Sequence, residues 1–220
     1  MAAIQEMIEG IRVMPGWAQV GLGFFVLCFV VMIVEPKIKT RRFRRQFDAI
    51  ARGLGVEPPA GSGSPAMVST TSSGRRFEVR HDFRTRGKGS SYRGPTGYLL
   101  MTATTLAGER WPLHQVDVSK VEGRLARLIR GVRATGDPVF DSRLMVVEDG
   151  RPVRDGWLDP PTRAAIGTFF DRARLPGILS VREGELLFTI QDPWTGADGP
   201  TMRALLEGQA ELATAFERRG

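Results

Sequence analysis

The sequence predicts an α+β protein: one N-terminal transmembrane helix followed by a cytoplasmic domain of antiparallel strands and hairpins with two or three amphipathic helices. Three observations lead to this fold class. One long stretch lacks charge, a dense basic run follows it, and the rest consists of short alternating segments separated by turn residues. Because these segments predict sequential hairpins and not alternating strand–helix–strand units, a doubly wound sheet is disfavoured.

Composition narrows the class of protein further. The chain has 220 residues, 25% charged and 42% hydrophobic, which excludes a wholly disordered chain. The single cysteine, Cys28, excludes an intramolecular disulfide and a zinc site built from several thiolates. Lysine and arginine total 31 against 24 acidic residues, a net charge of +7. This balance indicates a polyanionic partner, either nucleic acid or an anionic membrane.

The uncharged stretch covers residues 17–34, in which Gln19 is the only strongly polar side chain. Counted from Met14, it forms a helix about 31 Å long, which matches a hydrocarbon core of about 30 Å. We therefore predict a transmembrane helix over residues 14–36, with Trp17 as an interfacial anchor. A buried core helix and a cleavable signal peptide are the alternatives. A core helix of this length rarely lacks charge, and no small-residue cleavage site follows the stretch.

Charge on the two sides of the stretch predicts its orientation. Side chains of residues 1–13 sum to −1, whereas the run KIKTRRFRR sums to +6 within nine residues. The positive-inside rule therefore places the C-terminal domain in the cytoplasm and the N-terminus outside, in a single-pass protein of an inner membrane. The six cations of the run are also predicted to contact anionic lipid headgroups, each contact worth about 1 kcal/mol; they are Lys37, Lys39, Arg41, Arg42, Arg44 and Arg45.

Periodicity and composition divide the chain into five segments. The first has apolar residues at helical spacing, which predicts a helix on the outer membrane face or, equally, one packed against a partner. The segments are an interfacial amphipathic segment (1–13), the transmembrane helix (14–36), a basic juxtamembrane helix (37–54), a linker rich in Pro, Gly and Ser (55–65) and the cytoplasmic α+β domain (66–220). The juxtamembrane helix has an apolar face made of Phe43, Phe47, Ile50, Ala51 and Leu54.

The first part of the cytoplasmic domain predicts a hairpin. Strands over residues 75–83 and 98–106 enclose a long polar, Gly-rich connection. This basic loop is the predicted partner-contact site, through Arg84, Arg86, Lys88 and Arg93. A further strand at 111–118 and a helix capped by Ser119 are predicted next.

The second part of the domain predicts a turn and strand, a helix, a hairpin and a last helix. Asp159 caps the helix over residues 159–175 and Pro160 occupies its first position. The hairpin over 178–192 turns at Glu183-Gly184. The last helix, over 201–219, has an apolar face made of Leu205, Leu206, Leu212, Ala213 and Phe216.

The most distinctive piece is TGDPVFDSRLMVV, residues 135–147. It resembles the pattern TGDxxFDxxF of uncharacterised bacterial proteins with one membrane span and a cytoplasmic α+β domain. Leu144 stands where the pattern usually has Phe. The resemblance covers about residues 47–190 and implies architecture only, because the group brings no known activity. Positions comparable to the group's helix and its strand are Asp159, Arg163, Ile166, Gly184, Leu186 and Phe188.

The same piece has a purely structural interpretation. Residues 136–138, Gly-Asp-Pro, favour a turn, Phe140 would enter the core, and Asp141 would cap the chain or pair with Arg143. Two aspartates four residues apart also occur in acid/base and metal sites. No third ligand stands at a recognisable spacing, so the turn is favoured.

No catalytic, cofactor-binding or metal site is predicted, and we expect a protein that is not an enzyme and has no cofactor. His81 and His114 are the only histidines, and neither belongs to a metal-site pattern. A G-x-S-x-G nucleophile turn is absent, and GKGSSYRGPTG lacks the residue order of a phosphate loop.

The charge distribution and architecture predict function in outline. Residues 46–220 contain 24 basic and 21 acidic residues, a net +3 that does not favour nucleic acid. We expect a non-enzymatic accessory subunit, anchored by one span among other membrane-protein subunits. The layout is similar to the H subunit of bacterial photosynthetic reaction centres, by architecture alone, so a photosynthetic or other energy-transducing complex is a candidate. The alternative is a membrane-tethered binding or signalling module whose basic loop captures an acidic partner.

Overall fold

The computed structural model describes residues 15–59, 66–84, 97–108, 116–120, 132–148, 158–182, 184–190 and 196–218. The chain divides into two units, residues 1–45 and residues 46–220. The described residues form four helices and eight strands, which confirms the α+β class. In chain order they are α1 (Gly16–Leu54), β1 (Ala66–Thr70), β2 (Arg76–Arg84), β3 (Gly97–Thr105), β4 (Val116–Lys120), β5 (Val132–Arg133), α2 (Pro138–Arg143), β6 (Leu144–Glu148), α3 (Pro160–Arg172), β7 (Gly177–Arg182), β8 (Glu185–Ile190) and α4 (Gly199–Glu217).

The described strands form one antiparallel sheet with the order β1-β2-β3-β8-β7-β4-β6-β5. Two predicted hairpins are confirmed, because β2 pairs with β3 and β7 pairs with β8. The central neighbours are distant in sequence, with Thr102 of β3 opposite Phe188 of β8 and Val118 of β4 opposite Leu179 of β7. The hairpins therefore fix local pairs, and long-range pairing joins them into one sheet.

Strand β1 was not predicted from the sequence. It pairs with β2 through a tight turn in which the Gly74 amide donates to the Thr71 carbonyl at 3.0 Å and the Thr71 amide donates to the Arg75 carbonyl at 2.9 Å. Gly74 has a φ of 81°, the left-handed conformation that a three-residue hairpin loop requires at this position. The signal in the sequence was therefore the Ser-Ser-Gly turn.

The core of the second unit lies between one face of the sheet and helices α3 and α4. Three aromatic rings meet there, with centroids of Phe169 and Phe188 5.3 Å apart and those of Phe170 and Phe188 6.2 Å apart. The fully buried Gln209 of α4 is satisfied, because its amide donates to the Leu186 carbonyl at 3.2 Å and its oxygen accepts from Thr102 at 2.6 Å. These hydrogen bonds hold α4 against the sheet within the mainly apolar core.

Local signals predicted both long helices of this unit correctly. The Asp159 carboxylate accepts from the Thr162 amide at 2.8 Å and Pro160 begins α3. The predicted apolar face of α4 is buried. Ser119, in contrast, lies inside strand β4 and does not cap a helix. The residues predicted to form that helix lie outside the described residues.

Helix α1 runs without a break across Pro36, so the predicted transmembrane and juxtamembrane segments belong to one helix. Within the part of the chain that the structure describes, no helix has both the length and the apolarity of a membrane span. The interfacial segment 1–13 and most of the linker, residues 60–65, lie outside the described residues. The predicted apolar face of the juxtamembrane part is buried at Phe43, Phe47, Ile50 and Ala51.

The last turns of α1 are held against the start of α4. The Gln46 side chain donates to the Ala197 carbonyl at 3.3 Å, and Arg203 donates to the Gly53 carbonyl at 2.7 Å. Gly53 and Gly199 cross so closely that a Cβ on Gly53 would lie 2.4 Å from the Gly199 Cα. Glycine at both positions is therefore a condition for this helix crossing.

Candidate functional site

Among the side chains of α1 that the structure describes before Pro36, the large exposed ones are apolar. Trp17, Phe24 and Phe25 are 79%, 68% and 67% exposed. Apolar surface left in water costs about 25 cal/mol per Å². Contiguous patches of this kind mark membrane or protein contacts. We call this surface the apolar band; its residues are Trp17, Val20, Phe24, Phe25, Phe29 and Val34.

A cationic surface follows the apolar band on the same helix. Within nine residues the predicted lipid-contact side chains Lys37, Arg41, Arg42, Arg44 and Arg45 are all exposed. Lys39 lies in the helix, but its side chain is outside the described part. Six cations on less than three turns raise the local potential enough to attract anionic surfaces. We call residues 37–45 the basic segment.

The predicted basic loop is described only at its base. Arg84 is the last residue of β2, where its backbone lies opposite Gly97 of β3. Arg86, Lys88 and Arg93 lie outside the described residues. The cationic side chains of the predicted basic loop are therefore outside the described part of the chain.

A cavity of about 480 Å³ lies on the sheet face opposite the core. Arg80 bridges two carboxylates there, with its Nη2 3.1 Å from Glu185 and its Nε 3.5 Å from Glu78. Arg75 pairs with Glu217, whereas the Arg76 guanidinium has no carboxylate partner among the described residues. We call it the edge cavity; it is lined by Val68, Arg75, Arg76, Glu78, Ala103, Thr104, Thr105 and Glu185. The sequence did not predict this cavity, because Arg80 and Glu185 come together only when β3 pairs with β8.

The TGDPVFD turn is a structural element. Asp137 caps α2 by accepting from the amides of Val139 and Phe140 at 3.0 and 3.1 Å, and Arg163 lies 3.4 Å from its other oxygen. Phe140 is buried, as predicted. The predicted pairing of Asp141 with Arg143 is wrong.

Both members of that predicted pair have other partners. Asp141 accepts from the Thr135 amide at 3.0 Å and from its hydroxyl at 2.8 Å, because the turn folds Thr135 back over α2. Arg143 instead pairs with Asp171 of α3. The two aspartates of the motif therefore each accept hydrogen bonds from backbone amides.

The cap at Asp137 makes stability depend on pH. Hydrogen bonds to its carboxylate, chiefly from the Phe140 amide, hold the pKa of Asp137 below its ordinary 3.8. Since the folded pKa is the lower one, the stabilisation is complete above the unfolded pKa and is lost as pH falls through the folded pKa. We expect the urea concentration at the unfolding midpoint, measured for the full chain in detergent, to decrease as the pH is lowered below about 4. In Asp137→Asn, which retains a capping oxygen, the midpoint should decrease less steeply with pH. Equal slopes for the two proteins would contradict this assignment.

Histidines and possible metal ligands are the remaining candidates for a chemical role in the described part of the chain. His81 lies in β2 with its ring centroid 6.5 Å from that of Phe47, and His114 lies outside the described residues. The described residues contain no group of three or more His, Cys, Asp or Glu side chains that could hold a metal ion. Comparisons of the chain with protein-family models and with curated protein sequences find no match.

Proposed function

We propose that the chain is a non-enzymatic accessory subunit, anchored by a single span over residues 14–36 in a larger complex of the bacterial inner membrane. The apolar band followed directly by the basic segment carries the proposal. An exposed apolar surface on a helix is stable in hydrocarbon, and cations at its end remain in the headgroup region. The uncharged composition of residues 17–34 supports the same interpretation.

The proposed orientation places the N-terminus outside and residues 46–220 in the cytoplasm. Changing the six lysines and arginines of the basic segment to glutamine should remove the charge bias that sets this orientation. A C-terminal reporter that is active only in the periplasm should then gain activity, whereas it stays inactive on the native chain.

A matched control changes exposed arginines outside the basic segment. Replacing Arg172, Arg174 and Arg218 with glutamine removes cationic charge while retaining the basic segment, so the reporter should stay inactive. Periplasmic reporter activity on the native chain would contradict the orientation.

The proposed partners are other membrane-protein subunits and anionic lipid headgroups, and nucleic acid is not among them. Similarity of layout to the reaction-centre H subunit makes a photosynthetic or other energy-transducing complex the candidate assembly. The TGDxxFDxxF resemblance supports membership of a single-span group of the same architecture. Purification in mild detergent tests the subunit role: the chain should elute with other membrane proteins, and a clean monomer would count against it.

The second candidate is a membrane-tethered binding or signalling module. It is favoured by the base of the basic loop, where the β2–β3 hairpin opens at Arg84 into a connection rich in cations. Neutralising Arg84, Arg86, Lys88 and Arg93 together would then abolish capture of an acidic partner while leaving the fold intact. Unchanged capture by this variant would reject the module.

A further inference from the structure

Strand β1 lies at one edge of the sheet, and β2 is its only strand neighbour in the described part of the chain. Edge strands usually carry a charged residue, a proline or a bulge that prevents further pairing, because their free backbone groups otherwise pair readily with another chain. β1 has the sequence AMVST, with no charged residue and no proline. The Val68 side chain is 41% exposed. This edge therefore has the properties of a site for strand addition.

The hydrogen bonds of the turn establish which backbone groups of β1 face outward. Thr71 bonds to β2 through the Arg75 carbonyl, and bonding residues alternate along an antiparallel strand. The backbone N–H and C=O groups of Met67 and Ser69 therefore face β2, whereas those of Val68 and Thr70 point outward from the edge of the sheet. An added strand would bond to these two residues.

The edge cavity determines which side chain such a strand should carry. Thr70 lies opposite Arg76 and Val68 lies opposite Glu78, on the face where the cavity opens. A residue added opposite Thr70 would lie about 10 Å from the Arg76 backbone, a distance that two long side chains span. Glu78 and Glu185 already share Arg80. Among the described residues that line the cavity, Arg76 is thus the cation without a carboxylate partner.

We propose that β1 receives an extended segment of a partner protein, with an acidic side chain opposite Thr70 that pairs with Arg76. The backbone of Val68 and Thr70 supplies the hydrogen bonds, and Arg76 supplies selectivity for charge. This partner site goes beyond the proposed membrane subunit role, because it lies in residues 46–220 and does not depend on anchoring.

The test uses the full chain in non-ionic detergent and two fluorescent peptides of alternating threonine and valine. One carries a central glutamate in place of threonine and its twin carries lysine. Fluorescence anisotropy should give a Kd about fivefold lower for the glutamate peptide, the effect of a partly exposed ion pair. In Arg76→Glu this preference should reverse, whereas Arg174→Glu, which changes an exposed arginine of the same unit, should leave it unchanged.

Two further variants complete the test. Val68→Pro removes an outward amide and should weaken binding of the glutamate peptide at least about fivefold; if that variant fails to fold, Arg76→Glu decides. Equal binding of the two peptides, or an unchanged preference in Arg76→Glu, would overturn the proposal. So would a disulfide between two copies of Val68→Cys on a Cys28→Ser background, because a second copy would then occupy the edge.

Discussion

Replacing Phe25 and Phe29 together with arginine should release the full chain from the membrane fraction. Both side chains belong to the apolar band, and Phe25 lies at the centre of the proposed span 14–36. Each arginine near the centre of a spanning helix costs about 3 kcal/mol relative to phenylalanine, so the pair costs about 6 kcal/mol. Flotation of membranes after carbonate extraction, followed by detection of the chain, measures the effect.

The matched control is Val139→Arg. Val139 is also a large exposed apolar side chain on a helix, 70% exposed on α2 in the second unit. This substitution should leave the chain in the floated fraction, because residues 46–220 are proposed to lie outside the membrane. A double-arginine variant that floats as the native chain does would contradict the proposed span, as would extraction of the native chain by carbonate.

Gly53→Ala should destabilise residues 46–220 by about 3 kcal/mol, because the added Cβ would meet the backbone of α4. Gly199→Ala should have a similar effect, since its Cβ would lie 2.5 Å from the Gly53 Cα. Backbone on both sides cannot move aside as a flexible side chain would. For a unit of this size the change lowers Tm by roughly 6 to 12 °C, which circular dichroism of the full chain in detergent measures.

Gly167→Ala is the matched control for this prediction. Gly167 lies inside α3, and a Cβ there would meet nothing within 4 Å. Alanine is the better helix former, so this variant should gain about 0.5 to 1 kcal/mol. A Gly53→Ala variant as stable as Gly167→Ala would show that the helix crossing tolerates a side chain.

Local elements of the fold were predictable because short-range chemistry encodes them. Asp159 and Pro160 start α3 as predicted, and Gly184, with a φ of 79°, turns the β7–β8 hairpin. The apolar face of α4 is the buried one. In each case the decisive contacts join residues a few positions apart, so spacing in the sequence is sufficient to identify them.

Contacts between distant residues were not predictable in this way. The predicted pairing of Asp141 with Arg143 is wrong, because Asp141 accepts from Thr135 and Arg143 pairs with Asp171 on another helix. Strand β1 was missed because five residues without a long apolar pattern give a weak local signal. The edge cavity was missed for a related reason, since Arg80 and Glu185 meet only when β3 pairs with β8.

The sequence by itself determined the α+β class, two of the hairpins, the N-terminal cap of α3 and the position of the uncharged stretch before the basic segment. All of these depend on neighbours along the chain, through hydrophobic period, turn residues and charge runs. Only the tertiary structure decided the strand order, the crossing of Gly53 with Gly199 and the open edge at β1 beside Arg76. These features depend on which surfaces pack against each other and exclude water once the sheet has formed. Contacts between residues far apart in sequence leave no regular spacing from which they could be predicted.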